Sequence, residues 1–207
     1  MWQSNVQKAI AYKIPHLSCY ALTVEPKTAL AHMIAAGKTL PPNDSHSADQ
    51  FQYLIQSTKE AEYQHYEISN LALAGKFSKH NTNYWMGVSY LGIGPAAHSF
   101  DGLSRQWNIA HNKKYMDAIK AKDAGLLYQK EVLSAVDQSN EYILTSLRTM
   151  WGLDLEKIKL SAHRDQIEKA AEKYIREGML LKKEEIFILS EQAKFLADGI
   201  ASELFVE

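Results

Sequence analysis

Apolar residues at helical spacing alternate along this chain with short runs that are mostly apolar, the pattern of mixed α and β structure. Val6 and Ile10, four apart, mark residues 3–11 as the amphipathic tail of a helix that Pro15 ends. The run at 16–24, His-Leu-Ser-Cys-Tyr-Ala-Leu-Thr-Val, predicts a strand buried on both faces. Residues 28–36 form a short helix closed by Gly37. After Pro41-Pro42, Asp44 or Ser45 caps a helix to about residue 63, with Phe51, Leu54, Ile55 and Thr58 on one side. Residues 65–69 read as a strand and 70–77 as irregular. Residues 89–93 and 103–108 read as strands, and 111–121 as a helix with Tyr115, Ala118 and Ile119 inward. Gly125 stops that helix, and 126–132 is extended.

The pattern changes character in the last third. Helices are predicted over 139–150, 156–160 and 164–177, then a hairpin of 180–182 and 186–189 around Lys183-Glu184-Glu185, then a helix that Ser190 caps, to about residue 204. Three helices followed by a two-stranded wing predict a winged-helix-like domain. The expected division is therefore 1–135, an α/β region, and 136–207, the winged-helix-like domain. A chain that opens on the end of a helix and passes straight into a buried strand reads as part of a longer α/β protein.

Composition narrows the function classes. With 207 residues, a net charge of −1 and a pI near 6.7, the chain carries no basic field for nucleic acid or an anionic membrane surface. The helix at 164–177 holds as many acidic as basic residues, so a DNA-recognition role is not expected of it. A single cysteine, Cys19, cannot form a disulfide within the chain or hold zinc or an iron–sulfur centre. A reducing, cytoplasmic setting fits. The first residues lack the pattern of a secretory signal, and no apolar run is long enough to span a bilayer.

Chemistry concentrates in residues 78–99, SKHNTNYWMGVSYLGIGPAAHS. His80 and Asn81 open the stretch, Tyr84 and Trp85 follow, and Tyr90-Leu91-Gly92-Ile93-Gly94-Pro95 leads to His98. Flat apolar faces, a few polar tips and glycines where backbone must come close suit the wall of a pocket for a flat ligand. His80 has the chemistry of an axial haem ligand, with Tyr84 and Trp85 to flank a porphyrin face. The same spacing also suits His80 and Asn81 tying down a loop over a Tyr84–Trp85 core. Glu67 and Asn70 read as a pin for a turn, and Glu25 as a cap for the helix after it.

Five motifs in order carry a family resemblance. His16-x-Ser18-x-Tyr20-x-Leu22, Glu25-Pro26-x-Thr28, Tyr66-Glu67-Ile68-Ser69-Asn70, His80-Asn81-x-x-Tyr84-Trp85 and Tyr90-Leu91-Gly92-x-Gly94-Pro95 resemble the oxygen-independent coproporphyrinogen III oxidase-like radical-SAM proteins. The His-Asn-x-x-Tyr-Trp element resembles the haem-chaperone branch of that family more than the dehydrogenase branch. One position departs: Ala96 stands where relatives often carry a further glycine.

The resemblance implies the C-terminal portion of a partial radical-SAM (βα)6 barrel, with 16–24 as its last strand, ahead of the winged-helix-like domain. It implies an intact protein with a [4Fe–4S] cluster and S-adenosylmethionine, whose ligating cysteines this chain lacks, and no catalytic residue here. His80, Tyr84 and Trp85 are the implied haem contacts, with His80 on the iron. Ala21 and His98 are implied on the S-adenosylmethionine or substrate side. The implied partners are a tetrapyrrole and haem-accepting proteins, a membrane-associated recipient being compatible, as is a homodimer. The implied function is haem binding and delivery. The alternatives are oxidative decarboxylation of coproporphyrinogen III to protoporphyrinogen IX, and a docking module without a ligand of its own.

Overall fold

The computed structural model describes every residue of the chain except Ala124 and Leu126. Its backbone groups into two units, Met1–Phe77 and Ser78–Glu207. The boundary expected near residue 135 falls inside the second of these. The fold is mixed α and β, and all strand pairs are antiparallel.

In the first unit, α1 (Trp2–Ala11) and α3 (Asp44–Glu60) pack together beside a sheet of order β1-β3-β2, formed by His16–Ser18, Asn70–Ala72 and Gln64–Glu67. Trp2, Val6 and Ile10 recur every four residues, so α1 turns one apolar stripe onto Leu54, Tyr63 and Leu71. Between these helices, α2 (Ala29–Ala35) is capped by the Thr28 hydroxyl and followed by Gly37 at φ +67°. The Glu67 carboxylate, almost fully buried, accepts from the Ser69 amide and the Asn70 side chain, the turn pin expected of that motif. The partly buried His16 ring shares a hydrogen bond of 2.8 Å with the Tyr66 hydroxyl.

The strand expected over 16–24 is a correction. β1 stops at Ser18, and Tyr20 and Leu22 are 71% and 65% exposed. An apolar run favours extended backbone, but a strand needs a ladder partner. β3 offers three residues, and the Cys19 amide makes the last cross-link, to the Ser69 carbonyl. The described residues therefore form no strand of a parallel barrel. Asn43, not Asp44 or Ser45, caps α3, which ends at Glu60. The expected irregular segment at 70–77 begins with the buried strand β3. The Thr28 hydroxyl bonds the Glu25 backbone carbonyl, so the Glu25 carboxylate is not the cap.

The second unit opens with α4 (Lys79–Trp85), a helix the pattern did not announce. A sheet of order β4-β5-β6 follows, from His98–Phe100, Ser104–Asn108 and Tyr128–Val132. The strand expected at 89–93 reduces to one bridge, Tyr90 to Phe100. Between β5 and β6, α5 (Asn112–Ala121) is capped by His111 and ends on Lys122 in the left-handed region. Ala118 is buried there, but Ile119 is half exposed. Of the predicted extended segment 126–132, Leu126 lies outside the described residues.

Beyond β6, Ser134 and Asp137 close a capping box on α6 (Ala135–Leu147), which begins four residues earlier than its apolar period suggests. α6 packs with α8 (Ala197–Glu203) and a sheet β7-β9-β8 of Leu153–Asp154, Ile186–Leu189 and Leu180–Lys183, α7 (Ser161–Arg176) packs on β8, and Ser139 of α6 shares a buried hydrogen bond with His163 of α7. Ile143, Leu147, Leu153, Ile167, Leu180 and Phe187 fill the core between them. The hairpin is as expected, with β7 added to its edge. Ser190 does not cap α8: residues 191–196 first wind into a 3₁₀ helix, and the buried Ser190 hydroxyl finds no partner.

Candidate functional site

The site is built from α4 and the segment that follows it. Ser78 caps α4, its hydroxyl accepting from the Asn81 amide. One turn of helix then sorts the side chains. His80, Asn83 and Tyr84 are spaced i, i+3, i+4 and share a face. Trp85 is five positions from His80, about 140° round the helix, and cannot join them. His80, Asn83 and Tyr84 line a cavity of about 700 Å³ together with Tyr90, His98 and Arg105.

Trp85 is therefore not on this wall, against the expectation. Its ring meets the Tyr84 ring edge-on at 5.1 Å and carries the Arg148 guanidinium 5.0 Å from its centroid. Its buried ring N–H has no hydrogen-bond partner. Tyr90 takes the place expected of Trp85, 5.6 Å from Tyr84 and 6.1 Å from Phe100.

The glycine bend sets His98 on the wall. The Gly92 amide donates to the Ser99 hydroxyl at 2.9 Å. A Cβ on Gly92 would lie 2.1 Å from the His98 carbonyl oxygen, so only glycine lets the two segments approach this closely. Asn108, buried at the end of β5, donates to the carbonyls of Gly92 and Gly94 at 3.3 and 2.9 Å. The Tyr115 hydroxyl receives the Gly94 amide at 3.2 Å. Asn108 and Tyr115 carry no motif of their own, and their role was invisible in the sequence. Ala96 holds φ +59°, the conformation glycine favours.

His80 and His98 are both exposed, and the His98 ring lies 6.4 Å from that of Trp107, its cross-strand neighbour. Burial first, then the neighbouring Tyr84 and Glu141, pushes the Tyr90 phenol upward against the pull of Arg105, so it stays a neutral donor near pH 7. The wall thus offers two imidazoles, two phenol rings and one guanidinium. Imidazole nitrogens can ligate a metal, the rings can cover a planar face, and the guanidinium can hold an anion.

Ala21 belongs to the first unit and borders a different cavity, of about 430 Å³, with Tyr20, Leu22, Pro41, His46 and Gln50. Among the described residues no group of three or more His, Cys, Asp or Glu side chains could hold a metal ion. Cys19 is partly buried, and burial pushes its thiol upward.

No protein-family model matches the chain. Among curated proteins, it is 30% identical over 203 residues to a heme chaperone HemW of Mycobacterium tuberculosis, covering 97% of this chain and 50% of that one. It is 28% identical to heme chaperone HemW of Bacillus subtilis, over 96% of this chain and 53% of the relative. Among solved structures, the Escherichia coli coproporphyrinogen III oxidase HemN, a radical SAM enzyme, superposes with a TM-score of 0.68 at 16% identity, over 97% of this chain and 50% of that one. The chain is similar to heme chaperone HemW proteins over nearly its whole length, and to HemN in fold. It spans about half the length of the HemW relatives it matches. Its fold is a HemN-like mixture of α and β, and the His80 motif and glycine bend stand on that fold as two walls of one cavity.

Proposed function

We propose that the chain is the haem-binding part of a HemW-type haem chaperone, which takes up haem and passes it to haem-requiring proteins. One observation carries the reading: His80 and His98 line the same cavity as the Tyr84 and Tyr90 rings. At about 700 Å³ the space lies within the range of small-ligand pockets, roughly 300–1,000 Å³. In this reading a His80 ring nitrogen ligates the haem iron, Tyr84 and Tyr90 cover porphyrin surface, and His98 works on the haem side rather than on the S-adenosylmethionine side. Exposure of both imidazoles suits a carrier, since cargo held at an open rim can be handed on. A membrane-associated recipient remains compatible; among the described residues no helix is long and apolar enough to cross a membrane.

The alternative, oxidation of coproporphyrinogen III, rests on the HemN likeness, which at 16% identity concerns the fold alone. A porphyrinogen carries no iron, so two imidazoles on one wall would have nothing to ligate. A [4Fe–4S] cluster takes three or four thiolates, and the one thiol here does not fit it. Ala21, a small residue on the 430 Å³ cavity, is the contact assigned to the S-adenosylmethionine side. The helices α6 to α8 with the β8–β9 hairpin are read as a winged-helix-like docking domain.

The test is a haem titration followed in the Soret band. The wild-type chain is expected to shift the band on binding, and His80→Ala to lose most of that shift. His80 is exposed and is not itself the cap of α4, and an exposed substitution of that kind changes stability by no more than about 0.5 kcal/mol, so loss of signal would not reflect unfolding. Identical spectra for the two proteins would remove His80 from the iron.

A further inference from the structure

Arg105 is the second residue of β5, opposite Phe100 on β4 and Glu131 on β6. Cross-strand partners point to the same face of a sheet, and so do residues two apart along a strand. Arg105 therefore shares a face with His98 as a diagonal neighbour, at a typical Cβ separation of about 7–8 Å. Its side chain borders the His80–His98 cavity and also a second cavity of about 240 Å³ that Tyr84 and Tyr90 border as well. Glu141, Lys157 and Lys159 stand on that second wall. Arg105 Nη2 lies 2.9 Å from Glu141 Oε1, and the Arg105 side chain is 42% exposed. Lys159 donates to the Gln138 side chain, and the Lys157 ammonium lies 6.0 Å from the Tyr142 ring. Three cationic side chains and one carboxylate line this cavity, and Glu131, the cross-strand partner of Arg105, adds a second carboxylate on the same face. Cations still outnumber carboxylates there, which suits an anion, and a guanidinium with five N–H donors can hold a further carboxylate beside Glu141.

We infer that Arg105 receives a propionate of the bound haem, turning the carboxylate edge of the ring toward β5 while the iron faces the imidazoles. This rests on the haem reading above and adds the recognised group and the orientation. Lys157 and Lys159 supply the surrounding positive potential. The ring is then held by its metal at one place and by its acid edge at another, so a tetrapyrrole lacking either is held less tightly.

The experiment compares haemin with haemin dimethyl ester, whose propionates carry no charge, by absorbance titration of the whole chain. Wild type is expected to bind haemin about tenfold more tightly than the ester, the scale of a charged hydrogen bond. Arg105→Gln should bind both equally, at the affinity wild type shows for the ester, with the Soret maximum unmoved. The double variant Arg105→Gln, Glu141→Gln leaves no unpaired carboxylate and should behave the same way, which separates lost recognition from lost folding. A preference for haemin that survives in either variant overturns the Arg105 assignment and leaves the haem site standing. Equal binding of haemin and ester by wild type does the same. No Soret change with either compound in wild type overturns the haem reading and this inference together.

Discussion

Ala96 holds a left-handed backbone where a Cβ costs about 1–2 kcal/mol relative to the right-handed region. It does so because the bend around it is fixed at several points: the Ala96 amide reaches the Ile109 carbonyl at 3.2 Å, and Asn108 clamps the Gly92 and Gly94 carbonyls. Ala96, at a backbone conformation that glycine favours, is thus a position held under strain. Ala96→Gly removes that cost but raises the entropy of the unfolded chain by about 0.4–1 kcal/mol. The net expectation is a gain of roughly 0.5–1 kcal/mol, seen as a higher midpoint in urea unfolding. An unchanged or lower midpoint would show that the bend holds alanine without strain. Gly92 offers no such exchange, because the His98 carbonyl occupies the place of its missing side chain.

Between β4 and β5, the Asp101 carboxylate accepts the Leu103 and Ser104 amides and the Ser104 hydroxyl at 2.9, 2.6 and 2.6 Å. The hairpin it closes sets His98 and Phe100 opposite Trp107 and Arg105. The Ser104 hydroxyl first, then the two amides, hold this carboxyl well below the usual carboxylate range, with Lys130 3.5 Å away adding to the pull. A depressed acid contributes stability that is complete above its unfolded value, about 3.9, and is lost as pH falls toward the folded value. Asp101→Asn should therefore lower the melting temperature by a few degrees at pH 7, and the gap from wild type should close below about pH 4. A gap of constant size from pH 7 to pH 3 would assign the effect to packing instead. The Asp101 turn was not read from the sequence, while β5, α5, α7 and the β8–β9 hairpin were legible from period and punctuation. α4 was not, because Lys-His-Asn-Thr-Asn-Tyr-Trp holds few strong helix formers and its start depends on the Ser78 cap. With the helix unseen, Trp85 and Tyr84 looked equivalent as neighbours of His80. The helix turns them about 100° apart, so only Tyr84 stays near the His80 face.

At the scale of the molecule, what the sequence could not show was pairing between distant segments. β1 finds its partner β3 more than 50 residues later, and no local pattern announces that, so an apolar run was read as longer than its ladder allows. The division into units has a consequence for the site. Every residue bordering the His80–His98 cavity lies in Ser78–Glu207, while Leu71, fully buried, anchors the core of Met1–Phe77 with Val6, Leu54 and Tyr63. Leu71→Ala should cost about 2–5 kcal/mol, the usual range for a buried leucine, and the loss should fall on the first unit. In a denaturant titration of the haem-loaded variant, helix signal is expected to drop in an early step while the Soret band persists to a later one. Ile143→Ala, fully buried in the second unit, should reverse the order and lose the Soret band first. Loss of helix signal and Soret band at the same denaturant concentration in both variants would show that the two cores unfold as one, and that the haem cavity depends on residues it does not touch.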